Sequence, residues 1–201
     1  MSLIVLEGVD GAGTSTQTGE LARHLAAKGR TALVTREPSD RRVGRLIREL
    51  LGKDREPMDR RALALLFAAD RLDHVAGEIA PAVAGGAIVI SDRYLWSSLV
   101  YQSLALPRDE VAALNRHAPP ADLTLLLEIS VEAAAARRAQ RGGPEEIFDD
   151  LATQRELSAG YERELALALA RGERAVRIDA SRSIPEVAAA IAAAVDSFLE
   201  A

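Results

Sequence analysis

The stretch Leu3–Gln17, LIVLEGVDGAGTSTQ, sets the architecture of this chain. Its first four residues are apolar and predict a short buried strand. Gly8, Gly11 and Gly13 then predict a turn that only small residues can follow, and an amphipathic helix opens at Ser15. A strand, a turn and a helix in this order form a phosphate cradle, because main-chain N–H groups and the positive end of the helix dipole face one concavity.

The spacing of these residues follows the phosphate-loop pattern G-x-x-x-x-G-K-[ST] except at one position. Gly8, Gly13 and Ser15 match, and Thr14 stands where a lysine ammonium group would reach the β- and γ-phosphates of a nucleotide. An ordinary strand-to-helix turn is the plain alternative. We favour a nucleotide phosphate site, since the strand and the helix both fall where that site needs them.

The composition narrows the class of protein. The chain has 201 residues, enough for one domain spanning 1–201, with 48% apolar and 27% charged residues. A net charge of -5 argues against nucleic acid or an anionic membrane as partner. There is no cysteine, which excludes disulfides and thiolate metal sites. No apolar run approaches the roughly 18 residues of a membrane span, so we expect a cytoplasmic protein.

Five apolar segments alternate with helical patterns along the whole chain. This order predicts an α/β fold with a five-stranded parallel sheet and helices on both faces. The strands are expected at 3–6, 31–35, 87–90, 123–128 and 175–179. Helices are expected at 43–51, from Asp59 to a kink or new turn at Pro81, and then at 95–104, 108–118, 131–141, 145–170 and from Ser183 onward. Asp92 and Arg93 follow the third strand, where open α/β sheets bind their ligands.

Five motifs resemble those of thymidylate kinases, in the order and spacing of that family. They are LEGVDGAG, TREP, FAADR, SDRY and SSLVYQ. The resemblance covers essentially the whole chain. It implies the three-layer P-loop nucleoside-monophosphate kinase fold, a homodimer, and transfer of the ATP γ-phosphoryl group to dTMP with Mg²⁺.

The resemblance places ATP at the phosphate loop. The residues expected around the ATP phosphates are Gly8, Asp10, Gly11, Ala12, Gly13, Thr14, Ser15 and Thr16. Ser15 and Asp92 are the expected Mg²⁺ ligands, Asp92 directly or through a bound water. Asp92 could instead be a buried partner of basic residues, forming an Asp–Arg pair at the sheet edge. Asp10 offers its carboxylate to a sugar hydroxyl, near the 3′-OH in this family.

The same resemblance predicts the dTMP site. Phe67 and Arg71 are spaced i, i+4, so a ring that stacks on a base and a guanidinium that donates to thymine O4 share one helix face. A core Phe beside a solvated Arg is the alternative, and the FAADR match favours base binding. The full expected set is Asp10, Glu37, Arg48, Phe67, Arg71, Arg93, Ser97, Ser98, Tyr101 and Gln102. Within it, Arg93 clamps a phosphate, Ser98 and Gln102 contact the base, and Tyr101 closes the pocket around the deoxyribose.

The arginines before the Gly-Gly-Pro break match a family lid, placed here at about 137–150. Arg137, Arg138 and Arg141 would approach the ATP phosphates, with a solvated helix end as the alternative. The catalytic residues expected overall are Arg93, Asp92, Glu37 and Arg141. The three histidines have no ligand spacing and are interpreted as surface or helix residues.

Two departures from the family pattern leave two hypotheses. Thr14 lacks the charge of the loop lysine, and Ser39 and Asp40 stand where many bacterial relatives have two glycines. One hypothesis is a dTMP kinase that works at a reduced rate. The other is a degenerate relative that binds nucleotide and serves a regulatory or structural role. A kinase for another small acceptor is a weaker third, because the base-side residues match dTMP.

Overall fold

A five-stranded parallel sheet forms the centre of the protein. The structure, a computed structural model, describes residues 2–52, 58–142 and 147–200. The strands are β1 Ser2–Glu7, β2 Ala32–Arg36, β3 Ile88–Asp92, β4 Leu123–Glu128 and β5 Ala175–Asp179. Their order across the sheet is β2-β3-β1-β4-β5, and every neighbouring pair is parallel. The predicted α/β fold with its parallel sheet is confirmed.

The helices that connect the strands follow the predicted order. They are α1 Thr14–Ala27, α2 Arg42–Leu50, α3 Arg60–His74, α4 Ala80–Ala84, α5 Leu95–Tyr101, α6 Arg108–Leu114, α7 Val131–Arg141, α8 Leu151–Ala170 and α9 Ile184–Glu200. Asp59 caps α3, since its carboxylate accepts from the main-chain N–H groups of Arg61 and Ala62 at 3.0 Å each. A π-helical segment, Val75–Ile79, joins α3 to α4 close to Pro81, where a kink or new turn was expected.

Two helix boundaries were predicted wrongly. The helix expected at 145–170 begins at Leu151, because the Asp150 carboxylate accepts from the N–H of Thr153 at 2.9 Å and caps the helix there. The helical segment predicted at 95–104 is confirmed, with α5 ending at Tyr101 and a 3₁₀ turn, Gln102–Leu104, completing it. The one expected to reach residue 118 ends at Leu114. Residues 145 and 146 lie outside the described part of the chain.

The core lies on both faces of the sheet. Successive side chains of a strand point to opposite faces, so β1 contributes to two clusters. Ile4 and Leu6 belong to the larger cluster, which also contains Leu25 and Leu125. Leu3 and Val5 pack against Ile79, Val89 and Tyr94 on the other face. Among the described helices none is long and apolar enough to span a membrane.

The parallel register brings the carboxyl ends of three strands to one edge. Leu6 of β1 pairs with Asp92 of β3, and Asp92 pairs with Arg36 of β2. The phosphate loop after β1, the TREP segment after β2 and the SDRY segment after β3 therefore leave the sheet side by side.

Candidate active site

The phosphate loop curls between β1 and α1. Gly11 and Gly13 have φ angles of 93° and 100°, in the region that favours glycine, and Gly13 directly precedes α1. The loop borders a cavity of about 220 Å³. Its lining residues are Asp10, Gly11, Gly13, Thr14, Ser15, Thr16, Asp92, Arg93, Arg137, Arg138 and Arg141.

Two residues of the predicted ATP set lie outside this cavity lining. Gly8 packs against β4, where a Cβ atom on it would lie 2.8 Å from the main-chain oxygen of Leu127. Ala12 is buried, and its carbonyl accepts from Arg137 at 3.4 Å. Both residues contribute to the packing of the loop and do not line the cavity. The other six of the eight predicted residues line it.

Ser15 and Asp92 form a pair suited to Mg²⁺. The Ser15 hydroxyl donates a hydrogen bond to Oδ2 of Asp92. The other carboxylate oxygen, Oδ1, is buried and has no hydrogen-bond partner in the described structure. Mg²⁺ binds through one or two protein oxygens and completes its shell with water and substrate phosphates. The pair fits that pattern, while the described residues contain no cluster of three or more acidic, His or Cys side chains.

Arg93 and Asp10 stand at the centre of the site. The Arg93 guanidinium donates to Oδ1 of Asp10 at 2.6 Å and to the Tyr161 hydroxyl at 2.9 Å, and it stacks on the ring of Tyr101 with its carbon 5.2 Å from the ring centroid. Arg93 adopts φ 70°, a conformation that costs a non-glycine residue strain. Burial favours the neutral form of Asp10, but the charge of Arg93 and the hydrogen bond from Tyr101 outweigh it and lower the pKa of Asp10.

A second cavity of about 80 Å³ adjoins the first. Its lining residues are Asp10, Glu37, Pro38, Leu51, Phe67, Arg71, Arg93, Tyr94, Ser97, Ser98, Tyr101, Gln102 and Phe148. Nine of the ten residues predicted for the dTMP site are among them. Asp10 and Arg93 line both cavities, so the two spaces meet at these side chains.

Arg48 is the predicted acceptor residue that does not line this second cavity. Its guanidinium donates to the main-chain oxygen of Pro38 and pairs with the Asp40 carboxylate at 2.8 Å. Asp40 also pairs with Arg36 at 2.7 Å. The negative charge of Asp40 is therefore paired with two arginines.

Ser39, the other departure in this loop, is fully buried. Its N–H and hydroxyl donate to the two carboxylate oxygens of Asp70 at 2.7 and 2.6 Å. A glycine at this position could supply the first of these hydrogen bonds and not the second. Ser39 thus ties the TREP loop to α3.

Arg71 is a buried anchor and not the solvated residue of the alternative interpretation. Its side chain is 1% exposed and pairs with Glu37 at 2.7 Å. It also donates to Asn115, to the main-chain oxygen of Tyr94 at 2.9 Å and to the Ser98 hydroxyl at 3.0 Å. Its Nε has no partner in the described structure, and neither has Oε1 of Gln102. One donor and one acceptor thus remain unpaired in residues that line the second cavity.

His74 belongs to this buried network, although sequence reasoning read it only as a surface or helix residue. It lies on α3, is fully buried, and has its Nδ1 3.1 Å from Glu37 and its Nε2 2.7 Å from the Thr35 hydroxyl. If Nδ1 donates to the carboxylate, Nε2 accepts from Thr35. The i, i+3 spacing from Arg71 was the available signal.

Sequence reasoning predicted Tyr101 for the site and missed the two aromatic residues that contact it, Phe148 and Tyr161. Phe148 meets Tyr101 edge to face, with ring centroids 5.2 Å apart. The Tyr161 hydroxyl lies 2.9 Å from both Arg93 and Ser97. Aromatic residues make up only 3% of the chain, and this scarcity was a usable signal.

Glu7, the last residue of β1, binds the segment that follows Arg93. Its buried carboxyl accepts from the N–H of Tyr94 at 3.0 Å and from the Ser97 hydroxyl at 2.6 Å. Burial raises the pKa of Glu7, and the hydrogen bonds from Ser97 oppose that rise. The Glu7 carboxyl thus holds Tyr94 and Ser97, the residues that follow Arg93, in place.

The three arginines predicted for the lid lie in the second half of α7. Arg137 donates to the main-chain oxygen of Ala180 at 2.9 Å, while Arg138 pairs with Asp149 at 3.4 Å. Arg141 is exposed and lines the phosphate cavity. The rest of the predicted lid includes 143–146, which lie outside the described residues.

Comparison with known proteins agrees with this geometry. The family model described as thymidylate kinase matches residues 6–191. A probable thymidylate kinase of Pyrococcus abyssi is 41% identical over 190 residues, covering 92% of this chain and 90% of the relative. One from Pyrobaculum aerophilum is 42% identical over 193 residues, covering 96% and 95%. The thymidylate kinase of Leifsonia xyli subsp. xyli is 40% identical over 199 residues, covering 96% and 93%. The resemblance drawn from the five motifs is confirmed, and the chain belongs to the thymidylate kinase family of nucleoside-monophosphate kinases.

Proposed function

We propose that this protein phosphorylates dTMP to dTDP with ATP and Mg²⁺. The observation that carries the proposal is the junction of the two cavities at Asp10 and Arg93. A phosphate donor in the first cavity and a monophosphate acceptor in the second would meet there. Phosphoryl transfer depends chiefly on positioning and on stabilisation of charge, and a guanidinium at the junction serves both.

The donor side would use the loop and the Ser15–Asp92 pair. Main-chain N–H groups at the start of α1 would hold the ATP phosphates. Ser15 and the unpaired Oδ1 of Asp92 would hold Mg²⁺, which when bound would neutralise charge on the phosphates. Asp10 keeps Arg93 in place through its ionised carboxylate and could accept a hydrogen bond from a sugar hydroxyl.

The acceptor side would select a pyrimidine with a carbonyl at position 4. Phe67 lines the second cavity and offers a ring for stacking. The unpaired donor on Arg71 and the unpaired acceptor on Gln102 complement the O4 and N3–H of thymine. Cytosine presents the reverse pattern at these two positions, so we expect discrimination against dCMP.

Thr14 leads us to propose a reduced rate. Loss of one preorganised donor typically costs about 10²–10³ in kcat. The competing hypothesis is a nucleotide-binding protein without useful turnover. The test is ATP-dependent dTDP formation by the natural protein and by Thr14→Lys, with dTMP binding measured by calorimetry.

We expect dTMP to bind both proteins and the variant to turn over at least about ten times faster. Equal rates would show that the lysine is fully replaced. Binding of dTMP without turnover in either protein would support the binding hypothesis. Absence of dTMP binding would refute the assigned pocket.

We also propose a homodimer formed through α2 and α3. Leu65 and Leu72 of α3 are 50% and 41% exposed, and Leu46 of α2 is 43% exposed. Light scattering should give twice the monomer mass, and Leu65→Glu should give a monomer. A monomeric natural protein would refute this proposal. The cytoplasmic location stays a prediction.

A further inference from the structure

Arg93 holds a main-chain conformation that a non-glycine residue seldom adopts. Its φ of 70° lies in the left-handed region, and such a conformation persists only where the surrounding structure fixes it. Two of the contacts that fix it come from strand residues. The N–H of Arg93 donates to the carbonyl of Leu6 at 2.9 Å, and the carbonyl of Arg93 accepts from the Ser91 hydroxyl at 2.7 Å.

The Glu7 carboxyl supplies a third contact, at the peptide that follows Arg93. Glu7 ends β1 and is fully buried. Its Oε1 accepts from the N–H of Tyr94 at 3.0 Å and from the N–H of Ser97 at 3.2 Å. Tyr94 directly follows Arg93, and Ser97 lies in the first turn of α5. Oε1 therefore binds the chain immediately after the left-handed residue and fixes the start of α5.

The other carboxyl oxygen of Glu7 is linked to the guanidinium of the same arginine through two hydroxyl groups. Nη1 of Arg93 donates to the Ser97 hydroxyl at 3.1 Å and to the Tyr161 hydroxyl at 2.9 Å. Both hydroxyls donate in turn to Oε2 of Glu7, at 2.6 and 3.4 Å. An ionised carboxylate accepts at both oxygens, which suits all four of these donors. One buried carboxyl thus contacts the main chain next to Arg93 and the groups that bind its guanidinium.

We propose that Glu7 is a positioning residue for phosphoryl transfer, which holds the Arg93 guanidinium at the junction of the two cavities. The role assigned to Glu7 rests on the proposed function, in which Arg93 binds the acceptor phosphate. Glu7 itself lines neither cavity, so its effect on the substrate passes through Arg93. Because a misplacement of about 1 Å can cost about 10²-fold in rate, the effect should be large.

Two substitutions separate the contacts of the two carboxyl oxygens. Glu7→Gln keeps the size of the side chain and an acceptor for the two N–H groups, and it replaces Oε2 by a donor. Glu7→Ala removes both sets of contacts. The matched control is Glu164→Gln, because Glu164 is also a buried carboxyl, pairs with Arg108 at 2.5 Å and lines neither cavity. Steady-state rates of dTMP phosphorylation, calorimetric affinities for dTMP and thymidine, and thermal unfolding are measured for each protein.

Glu7→Gln should lower kcat and dTMP affinity at least about tenfold, and Glu7→Ala should lower kcat about 100-fold. The affinity of Glu7→Gln for thymidine should fall less than about threefold, because thymidine lacks the phosphate that Arg93 would bind. Glu164→Gln should lose thermal stability and keep kcat within about twofold of the natural protein. Equal losses of dTMP and thymidine affinity in Glu7→Gln, or a kcat no lower than that of the control, would overturn the proposal.

A double-mutant cycle with Arg93→Ala tests whether the effect of Glu7 passes through the arginine. In the Arg93→Ala background, Glu7→Gln should lower the single-turnover rate less than about threefold, because the group that Glu7 positions is gone. The same loss in both backgrounds would show that Glu7 acts on the fold and not on Arg93.

A crystal structure of Glu7→Ala tests the role of Glu7 without any substrate. We expect Arg93 to leave the left-handed region and its guanidinium to lose the Tyr161 hydroxyl; an unchanged Arg93 would overturn the proposal. If the natural protein phosphorylates dTMP and Glu7→Gln does so equally well, the positioning role fails and the function stands. If the natural protein neither binds nor phosphorylates dTMP, the proposed function fails, and the conformation of Arg93 in Glu7→Ala still decides whether Glu7 positions it.

Discussion

Replacing Glu37 with alanine should destabilise the protein severely, since it removes the countercharge of Arg71. The two side chains are 4% and 1% exposed and lie 2.7 Å apart. The variant leaves the guanidinium buried with the neutral acceptors of Asn115, Tyr94 and Ser98. Breaking a buried pair in this way costs about 3–5 kcal/mol.

That cost corresponds to a large thermal shift. In a protein of this size, 1 kcal/mol moves Tm by about 2–4 °C, so Glu37→Ala should lower Tm by about 6–20 °C. The three neutral acceptors favour the lower half of that range. Glu37→Gln keeps the shape and one acceptor oxygen, and we expect a smaller loss from it.

The assay is urea unfolding followed by circular dichroism, with the free energy of unfolding obtained by linear extrapolation. The matched control is Glu162→Ala, which breaks an exposed pair with Arg177 at 2.6 Å, the two side chains being 39% and 44% exposed. Such pairs contribute about 0–1 kcal/mol. A loss for Glu37→Ala no larger than that of the control would refute the argument that Arg71 depends on Glu37.

Three other changes have expected outcomes. Gly11→Ala should lower stability and abolish ATP binding, because the added Cβ atom would overlap the α7 main chain and Gly11 has a φ of 93°. Gly19→Ala is the control, since a Cβ atom there meets nothing within 4 Å, and it should stabilise the protein by up to about 1 kcal/mol. Equal Tm values for the two variants would contradict this expectation. Asp40→Asn should free Arg48 and lower the KM for dTMP by about 1.5–5-fold at low salt, as expected for an exposed pair, and an unchanged or raised KM would count against it. Asp10→Asn should be less stable than the natural protein above about pH 4, and this deficit should shrink as the pH falls through the lowered pKa of Asp10, since the stability gained from a depressed carboxyl pKa is lost on protonation. A deficit that stays constant down to pH 3 in the unfolding experiment would disprove that linkage.

The local features of the fold could be predicted because they depend on residues that are close together in the sequence. Within residues 3–17, the apolar run predicts the strand, the spacing of the glycines predicts the turn, and the helical periodicity of the apolar residues predicts the helix. The cap at Asp59 follows from one side chain before an apolar helical pattern. The start of α8 was missed, since residues 147–150 suit a helix by composition and only the cap at Asp150 shows where it begins.

The long-range network of the site could not be read from periodicity. A helical pattern places His74 on α3 and does not show that it meets Glu37 from another segment. Tyr161 reaches Arg93 from α8, 68 positions away along the chain. The nine predicted residues that line the second cavity were found through the resemblance to a family. Spacing alone left Phe67 and Arg71 open to a plain structural interpretation.

The most direct measurement of the central claim is product formation from a panel of monophosphates. The purified protein is incubated with ATP, Mg²⁺ and dTMP, dUMP, dCMP, dGMP or AMP, and the diphosphates are separated by chromatography. We predict dTDP as the main acceptor product, with dCDP and dGDP formed, and AMP consumed, at rates at least about 100-fold lower; ADP itself arises from ATP in every reaction. Faster phosphorylation of dCMP or a purine nucleotide, or no dTDP at all under saturating ATP, would contradict the assignment of the second cavity to dTMP.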